Sequence, residues 1–520
     1  MIILRLQRAQ TALYEAFYIA WIGLTQAAAN SYAIKTAVMP YLYLSKINSD
    51  DQHIDGWGLF EVAFDFIVIS TFSVQTASAA TLPRAYGKYT KENDPEKRER
   101  LRLALLAQFA NSLLYSWFFA IPVTGFSLFY SESLLTRFGP LLGYSDPEVI
   151  KIASSVLRPL ALMMPFVMTG AIARMVIRSC KFYSIFLFGP PILFLFLVLA
   201  RITAFDLKMG LNAVLFCYIA EAAAGCSLYT GYFLHKKELA FFRTTDIFYL
   251  KFSKDEKYKN FQSFLQFLKL GSMTFLETFT NYFFWLFMAT QSKSLGVPSQ
   301  TAFALLLGAQ WIVDLSAAAN ALSGSIELND KITDPQKTAA DVNRIARVSV
   351  MVSGIVGAII PMTVLCSPSA FLSLSGNQDP DVAEKLRAIV LPMVIAIILN
   401  PMNLAKSYQC RAMKNFRDPA IARIVSLILG AIAGYILAFP LGFQEMGLAA
   451  GCALGMMLMQ ILLHFAWRKC LDAVSQEKQA SRKSESPRLL FSENSSSIFS
   501  LNTTELDQGS PTSTLNLVIS

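Results

Sequence analysis

Histidine is almost missing from this chain, with three in 520 residues. His53 falls between apolar runs, and His235 and His464 lie at or near the ends of such runs. There is no H-E-x-x-H signature, no H-x-x-x-D/E box and no Gly-rich phosphate loop, so no metal-binding or catalytic motif points to an enzyme. The seven cysteines are scattered, and Cys217, Cys226, Cys366 and Cys452 lie within apolar runs. None forms a C-x-x-C pair, so neither a disulfide framework nor a zinc site is indicated. Charge is scarce as well. Asp, Glu, Lys and Arg make up 16% of the chain, where a soluble protein carries about a quarter.

Apolar residues fill the space that charge leaves. They make up 54% of the chain, and the mean hydropathy is +0.44. Runs of about 20 apolar residues recur, each long enough to cross a hydrocarbon core of about 30 Å. The expected class is therefore an all-α polytopic membrane protein, multi-pass and surrounded by lipid. Spans are placed near 16–44, 57–82, 103–130, 152–177, 183–204 and 211–235, then near 264–290, 301–326, 346–366, 388–410, 419–441 and 447–467. The first run is too long for the core of a cleaved signal. Residues 470–520 are rich in Ser, Thr, Asn, Gln, Lys and Glu, and are expected to be a disordered tail.

The two halves repeat. D-P-E-V at Asp146, Pro147, Glu148 and Val149 is followed by Pro159, Arg178 and Lys181. D-P-D-V at Asp379, Pro380, Asp381 and Val382 is followed by Pro392, Arg411 and Lys414, all at one offset of 233 residues. A second echo sets Asp94-Pro95 against Asp334-Pro335. The order of parts implies an N-lobe over 1–235, a linker over 236–262 and a C-lobe over 263–469. Twelve spans in two six-helix lobes, with an even number per lobe, make the repeats parallel about a pseudo-two-fold axis along the membrane normal.

Basic residues fall on one set of loops. These carry Arg84, Lys88, Lys91, Lys97, Arg98 and Arg100, then Arg178 and Lys181, then the linker, Lys331, Lys337, Arg411, Lys414, Arg468 and Lys469. The opposite loops are poor in them, and the one near residue 50 carries Asp50, Asp51 and Asp55. The positive-inside rule makes the first set, the linker and both termini cytoplasmic, as in a bacterial inner membrane. The net charge of +9 is thus a topology signal, and no nucleic-acid partner is indicated.

Four stretches resemble the multidrug and toxic compound extrusion (MATE) transporters of the MOP flippase superfamily. They are R-A-Y-G-K-Y-T-K-E-N-D-P-E-K from Arg84, S-D-P-E-V-I-K-I-A-S-S-V-L-R-P-L-A from Ser145, F-L-K-L-G-S from Phe267 and Q-C-R-A-M-K-N-F-R-D-P from Gln409. The resemblance covers roughly residues 12–470 and implies two six-helix bundles around a central cavity. It implies a monomer that exports small organic cations by antiport with H+ or Na+, without a further cofactor. The chain departs from that family at its usual coupling acids. In the first span the acid position falls on Ala33, seven residues after Gln26; in the seventh it falls on Asn281, and in the tenth on Asn403.

Ionisable groups inside spans are costly and are functional candidates by default. Glu61 and Asp65 are four apart on one face of the second span, Glu277 lies in the seventh and Asp314 in the eighth. These four are the candidate cation or proton sites, with Asn281, Asn403 and Lys35 as candidate cavity residues. The competing structural reading pairs Lys35 with Asp65 and leaves Glu61 at the interface. Arg178, Lys181, Arg411 and Lys414 read as anchors at the cytoplasmic surface, and Tyr282 to Trp285 as lipid-facing bulk. Two other functions stay open. One is flipping of lipid-linked oligosaccharide or peptidoglycan precursors, which Lys35 and Lys406 would suit. The other is an uncoupled carrier, which the amides at 281 and 403 would suit.

Overall fold

A computed structural model of the chain describes residues 80–142, 144–207, 210–236, 260–374 and 379–490. Glu15, Ala16, Phe17, Ile19, Leu59, Ala77, Ser78 and Leu239 are described as isolated positions. Among the described residues every regular element is helical. In chain order they are α1 (80–91), α2 (Pro95–Phe138), α3 (Pro147–Ala161), α4 (Met164–Ser179), α5 (Gly189–Arg201), α6 (Gly210–His235), α7 (Asn260–Lys293) and α8 (Val297–Thr333). α9 (Ala339–Cys366), the short α10 (Pro368–Leu374), α11 (Pro380–Ala412), α12 (Arg417–Ala438) and α13 (Gln444–Leu490) follow. The expected spans from the third to the twelfth all fall on these helices. The first lies outside the described residues apart from positions near its start, and the second apart from Leu59 and its last few residues. Large apolar side chains such as Phe129, Phe194, Ile355 and Phe465 face outward, as lipid-facing positions of a membrane protein do.

The 233-residue repeat reappears as repeated local geometry. Asp146 Oδ1 accepts from the Glu148 N–H at 2.9 Å, and Asp379 Oδ1 from the Asp381 N–H at 2.9 Å, so each D-P caps its helix. At the far ends the backbone turns left-handed at Lys181 (φ 62°) and Lys414 (φ 70°). Phe182 N–H closes the first turn on Ile177 O at 3.0 Å, and Asn415 N–H closes the second on Cys410 O at 2.9 Å. A lysine in that conformation costs about 1 kcal/mol, yet both halves keep it.

The copies differ in the middle. The first breaks by 52° between Pro159 and Met164, whereas the second runs as one 33-residue helix. Pro159 and Pro392 correspond, but the second proline comes six residues later in the first copy, at Pro165, and nine residues later in the second, at Pro401. Two missing N–H groups within two turns open the ladder.

The last two spans meet on glycine. A Cβ added to Gly430 would lie 2.7 Å from Gly455 Cα, and one on Gly447 would lie 2.5 Å from Ala438 N. Small residues let the backbones touch, which is how helices gain packing where water supplies no driving force. One apolar cluster unites the halves: Tyr115, Ile172 and Val176 pack in a group with Ile326, Val342, Ala405 and Tyr408. A second, around Met288, Phe303, Met393 and Met456, belongs to the C-lobe alone. Tyr282, Phe284 and Trp285 are buried, and of the aromatic run only Phe283 is exposed; the lipid-facing reading of that run is corrected, because three of its side chains point into the C-lobe.

The expected boundary at 469 is also corrected. α13 continues to Leu490, so the stretch from 470 to 490 is helical, while 491–520 lies outside the described residues. Cys470, Leu471 and Val474 continue the apolar face of the last span and are buried against the core that unites the halves.

Candidate functional site

On α7 the buried positions Thr274, Glu277, Trp285 and Met288 recur at helical spacing, while Leu276 and Phe283 face outward. Glu277 is thereby aimed at α11 and α12, with 1% of its surface exposed. Ser407 Oγ donates to Glu277 Oε1 at 2.7 Å, and Arg411 donates to Oε2. Arg423 Nε lies 3.3 Å from Oε1. Two guanidinium groups therefore compensate one carboxylate. The expectation that Glu277 lines a cavity with an exchangeable proton is revised, since its oxygens are already engaged and buried. Arg178 and Arg411 are likewise buried inside the helix bundle, because the left-handed turns at Lys181 and Lys414 lie beyond them; the surface-anchor reading holds for neither arginine.

Asp314 has a different environment. It lies one turn after Gln310 on α8, and it is half-buried. Its Oδ1 accepts from Gln310 Nε2 at 2.6 Å and from Asn400 Nδ2 of α11 at 2.7 Å. No Lys or Arg among the described residues pairs with it. The buried amide oxygens of Gln310 and Asn400, and of Asn403 one turn along α11, have no donor among the described residues, nor does that of Asn281 on α7. Asn403 instead uses its amide nitrogen, which donates to Met456 O at 3.2 Å. The cluster is rich in acceptors that lack donors, a composition that suits a proton or a hard cation. Among the described residues no group of His, Cys, Asp and Glu could hold a metal ion.

Glu61, Asp65 and Lys35 lie outside the described residues. Lys406 is buried, with its ammonium 6.0 Å from the Trp467 ring centre. Gln310, Asn400, Ser407 and Arg423 were not anticipated. Arg423 could have been, as a charge one turn inside an apolar run. The amides could not, because a polar amide in a span is common and only its neighbours give it meaning.

A second polar system lies on the basic face, where the two halves meet. Lys91 Nζ contacts Asp330 Oδ1 at 2.9 Å and Asp334 Oδ2 at 3.7 Å. Lys181 contacts Glu327 at 3.2 Å and Asp330 at 3.1 Å. Glu15 meets Arg344 at 3.0 Å and Lys331 at 3.8 Å. Every one of these pairs joins the first half to the second. Burial pulls the Lys181 pKa down, but Glu327 and Asp330 outweigh it and hold the ammonium above its ordinary range. Burial pushes Asp330 up, but Lys91 and Lys181 outweigh it and hold the carboxyl below its ordinary range. Gly87 sits where a side chain would not fit, since an added Cβ would be 2.8 Å from Thr333 Oγ1.

No family model and no curated protein sequence matches the chain. Solved structures do. A crystal structure of a MATE transporter in its straight conformation superposes with a TM-score of 0.73 at 13% identity, over 89% of this chain and 97% of the other. The fold is that of the MATE transporters. A eukaryotic MATE transporter matches with a TM-score of 0.69 at 14% identity, over 90% of this chain and 99% of its own. A MOP superfamily transporter from Pyrococcus furiosus, for which a reversed polarity of the binding pocket is described, matches with a TM-score of 0.72 at 13% identity, over 88% and 96%. The MATE fold spans both halves, and the protein is a multi-pass integral membrane protein.

Proposed function

We propose that the protein is a secondary transporter of the MATE type, not an enzyme, that works by alternating access between its two lobes. Its basic face is cytoplasmic and its membrane is a bacterial inner membrane. The ion pairs on that face shut the cytoplasmic entrance in the state described. Its coupling group is Asp314. The observation that carries this reading is the contrast between the two C-lobe acids. Glu277 is neutralised by Arg411 and Arg423, whereas Asp314 is held by two neutral amides. An ion that enters favours a carboxylate without an ion-pair partner, and Asp314, which feels Arg423 only from beyond ion-pair distance, is of that kind. Binding of H+ or Na+ there, in competition with a small organic cation, would make loading of one expel the other.

The test is uptake of a fluorescent aromatic cation into inverted vesicles under a proton or sodium gradient. Asp314→Asn keeps both amide contacts sterically possible and removes the charge. Gradient-driven uptake is expected to fall to the level of empty vesicles. Uptake at the parent rate with the same ion dependence would reject Asp314 as the coupling group.

A second reading is favoured by the buried bases. Among the described residues the buried bases Arg178, Lys406, Arg411 and Arg423 stand against the buried acids Glu277, Glu327 and Glu445. Such an interior suits an anionic headgroup, as of a lipid-linked precursor. Flipping of a fluorescent lipid pyrophosphate in proteoliposomes, without cation transport, would select it.

A further inference from the structure

Lys406 of α11 is buried, at 4% exposure, and among the described residues no carboxylate and no hydrogen-bond acceptor meets its ammonium. The Trp467 ring, 6.0 Å away, is its neighbour. An unpaired cation inside a span is costly, so what it faces matters. The register of α11 answers that. Successive residues of a helix turn by about 100°, so Leu391, Ile395, Met402 and Lys406 fall on one stripe roughly 60° wide. Leu391 and Ile395 are exposed, at 56% and 38%, and Met402 is half-buried. Lys406 is therefore the last member of the lipid-facing stripe. Ser407 and Arg411, which hold Glu277, are turned roughly 100° and 140° away from it.

Two helices wall this stripe. α9 packs along one edge, where a Cβ on Gly354 would lie 3.0 Å from Met402 Cγ. α13 packs along the other, where Met456 O meets Asn403. The outward positions of these walls, Met351 and Ile355 on α9 and Ile461 and Phe465 on α13, are all more than half exposed. One turn nearer the basic face, Gln409 joins the walls. Its Oε1 accepts from Trp467 Nε1 at 2.5 Å, and its Nε2 donates to Ala346 O at 3.0 Å. The result is a groove that opens to lipid, ends in a hydrogen-bonded bridge and holds an ammonium one turn above that bridge.

The closed end is basic. Arg347 follows Ala346 and Arg468 follows Trp467, and both arginines are exposed. His464 lies beside the Trp467 ring at 5.9 Å. Exposed arginines at the ends of apolar runs carry their charge to the headgroup level, and the stem of Lys406 lets its ammonium reach toward the same level. Three bases at the rim of an apolar groove suit a phosphodiester that has acyl chains attached, and basic pockets between spans take anionic headgroups in this way. A soluble phosphate would leave the apolar stripe uncovered.

We propose that the groove between α9 and α13, floored by α11, binds an anionic phospholipid of the leaflet on the basic face, its phosphate among Lys406, Arg347 and Arg468 and its acyl chains along Met402, Ile395 and Leu391. The lipid is the counter-ion that the side chains around Lys406 do not provide. It is a resident ligand, because the groove lies on the side of α11 turned away from Glu277.

The test is native mass spectrometry of the full chain released from nanodiscs of equal parts phosphatidylglycerol and phosphatidylcholine. The parent protein is expected to retain phosphatidylglycerol over phosphatidylcholine by more than about tenfold, the scale of two or more bases at a lipid surface. Lys406→Met is expected to lower that preference about fivefold, and Lys406→Arg to restore it. Arg417→Gln, at an exposed base of the same face outside the groove, is expected to leave it unchanged. A second measurement needs no variant. Phosphatidylglycerol with a diazirine high on one acyl chain is expected to label residues 347–355 and 461–468 more than its phosphatidylcholine analogue does, with no competition from millimolar glycerol phosphate. An unchanged preference in Lys406→Met, an equal loss in Arg417→Gln, or equal labelling by the two lipids overturns the site. Competition by glycerol phosphate assigns the bases to a soluble phosphate and overturns the lipid.

Discussion

Replacing Glu277 with glutamine changes one atom and removes the charge to which both Arg411 and Arg423 are paired. The three side chains are almost wholly buried, at 1%, 3% and 5% side-chain exposure. Solvent therefore cannot take over when the carboxylate is gone. Removing one member of a buried pair costs about 3–5 kcal/mol, because a buried charge is left without its partner. Here two guanidinium groups share the carboxylate, so the loss is expected at the upper end of that range. Glu277→Gln should therefore lower the midpoint of heat-induced aggregation in detergent, followed by fluorescence-detected size exclusion. Adding Arg411→Met and Arg423→Met should recover much of the loss, since apolar replacement of a whole buried ion cluster is often neutral. The fraction of Glu277→Gln protein that remains folded should keep the parent ion dependence of transport. A midpoint equal to that of the parent protein would refute the argument. It would mean that Glu277 is not committed to its arginines and is free to exchange a proton.

Three further outcomes are expected. Gly451→Ala should destabilise by about 1–3 kcal/mol, the cost of overpacking, because its Cβ would collide with Gly434 and Gly430 where α12 and α13 touch; an unchanged melting midpoint would show that these helices can part. The ion pairs between the halves should be insensitive to mild pH change. The contribution of Asp330, whose folded pKa is lowered, is present above the ordinary value of 3.8 and is lost only as pH falls through the lower folded value. That of Lys181, whose folded pKa is raised, is present below 10.5 and is lost only as pH rises through the higher folded value. Distances between spin labels at Asn93 and Ala340, one in each half, should thus stay constant between about pH 5 and 9, and opening on mild acidification would count against these pairs. Finally, a cysteine at Ser145 should react with an impermeant thiol reagent on intact cells, and one at Ala340 only after permeabilisation; the reverse pattern would invert the orientation.

The sequence alone determined the class, the approximate spans and the repeat. A hydrocarbon core admits only backbone that satisfies its own hydrogen bonds, so length and apolarity are enough to find its helices. The D-P turns could be read in the same way, since capping is local, whereas the left-handed lysines at the far ends could not. Intramembrane charge drew notice to Glu277 and Asp314 alike, because cost of burial depends on residue type. Which acid has guanidinium partners and which has amide partners is legible only in the tertiary structure. That difference depends on what α11 and α12 bring: Arg411, Ser407 and Arg423 to one carboxylate, Asn400 to the other, from more than 80 residues away along the chain. The same holds for the tail. Its polar composition pointed to a segment without a core of its own, but Cys470, Leu471, Val474 and Lys478 suffice to dock residues 470–480 on a core that others have built.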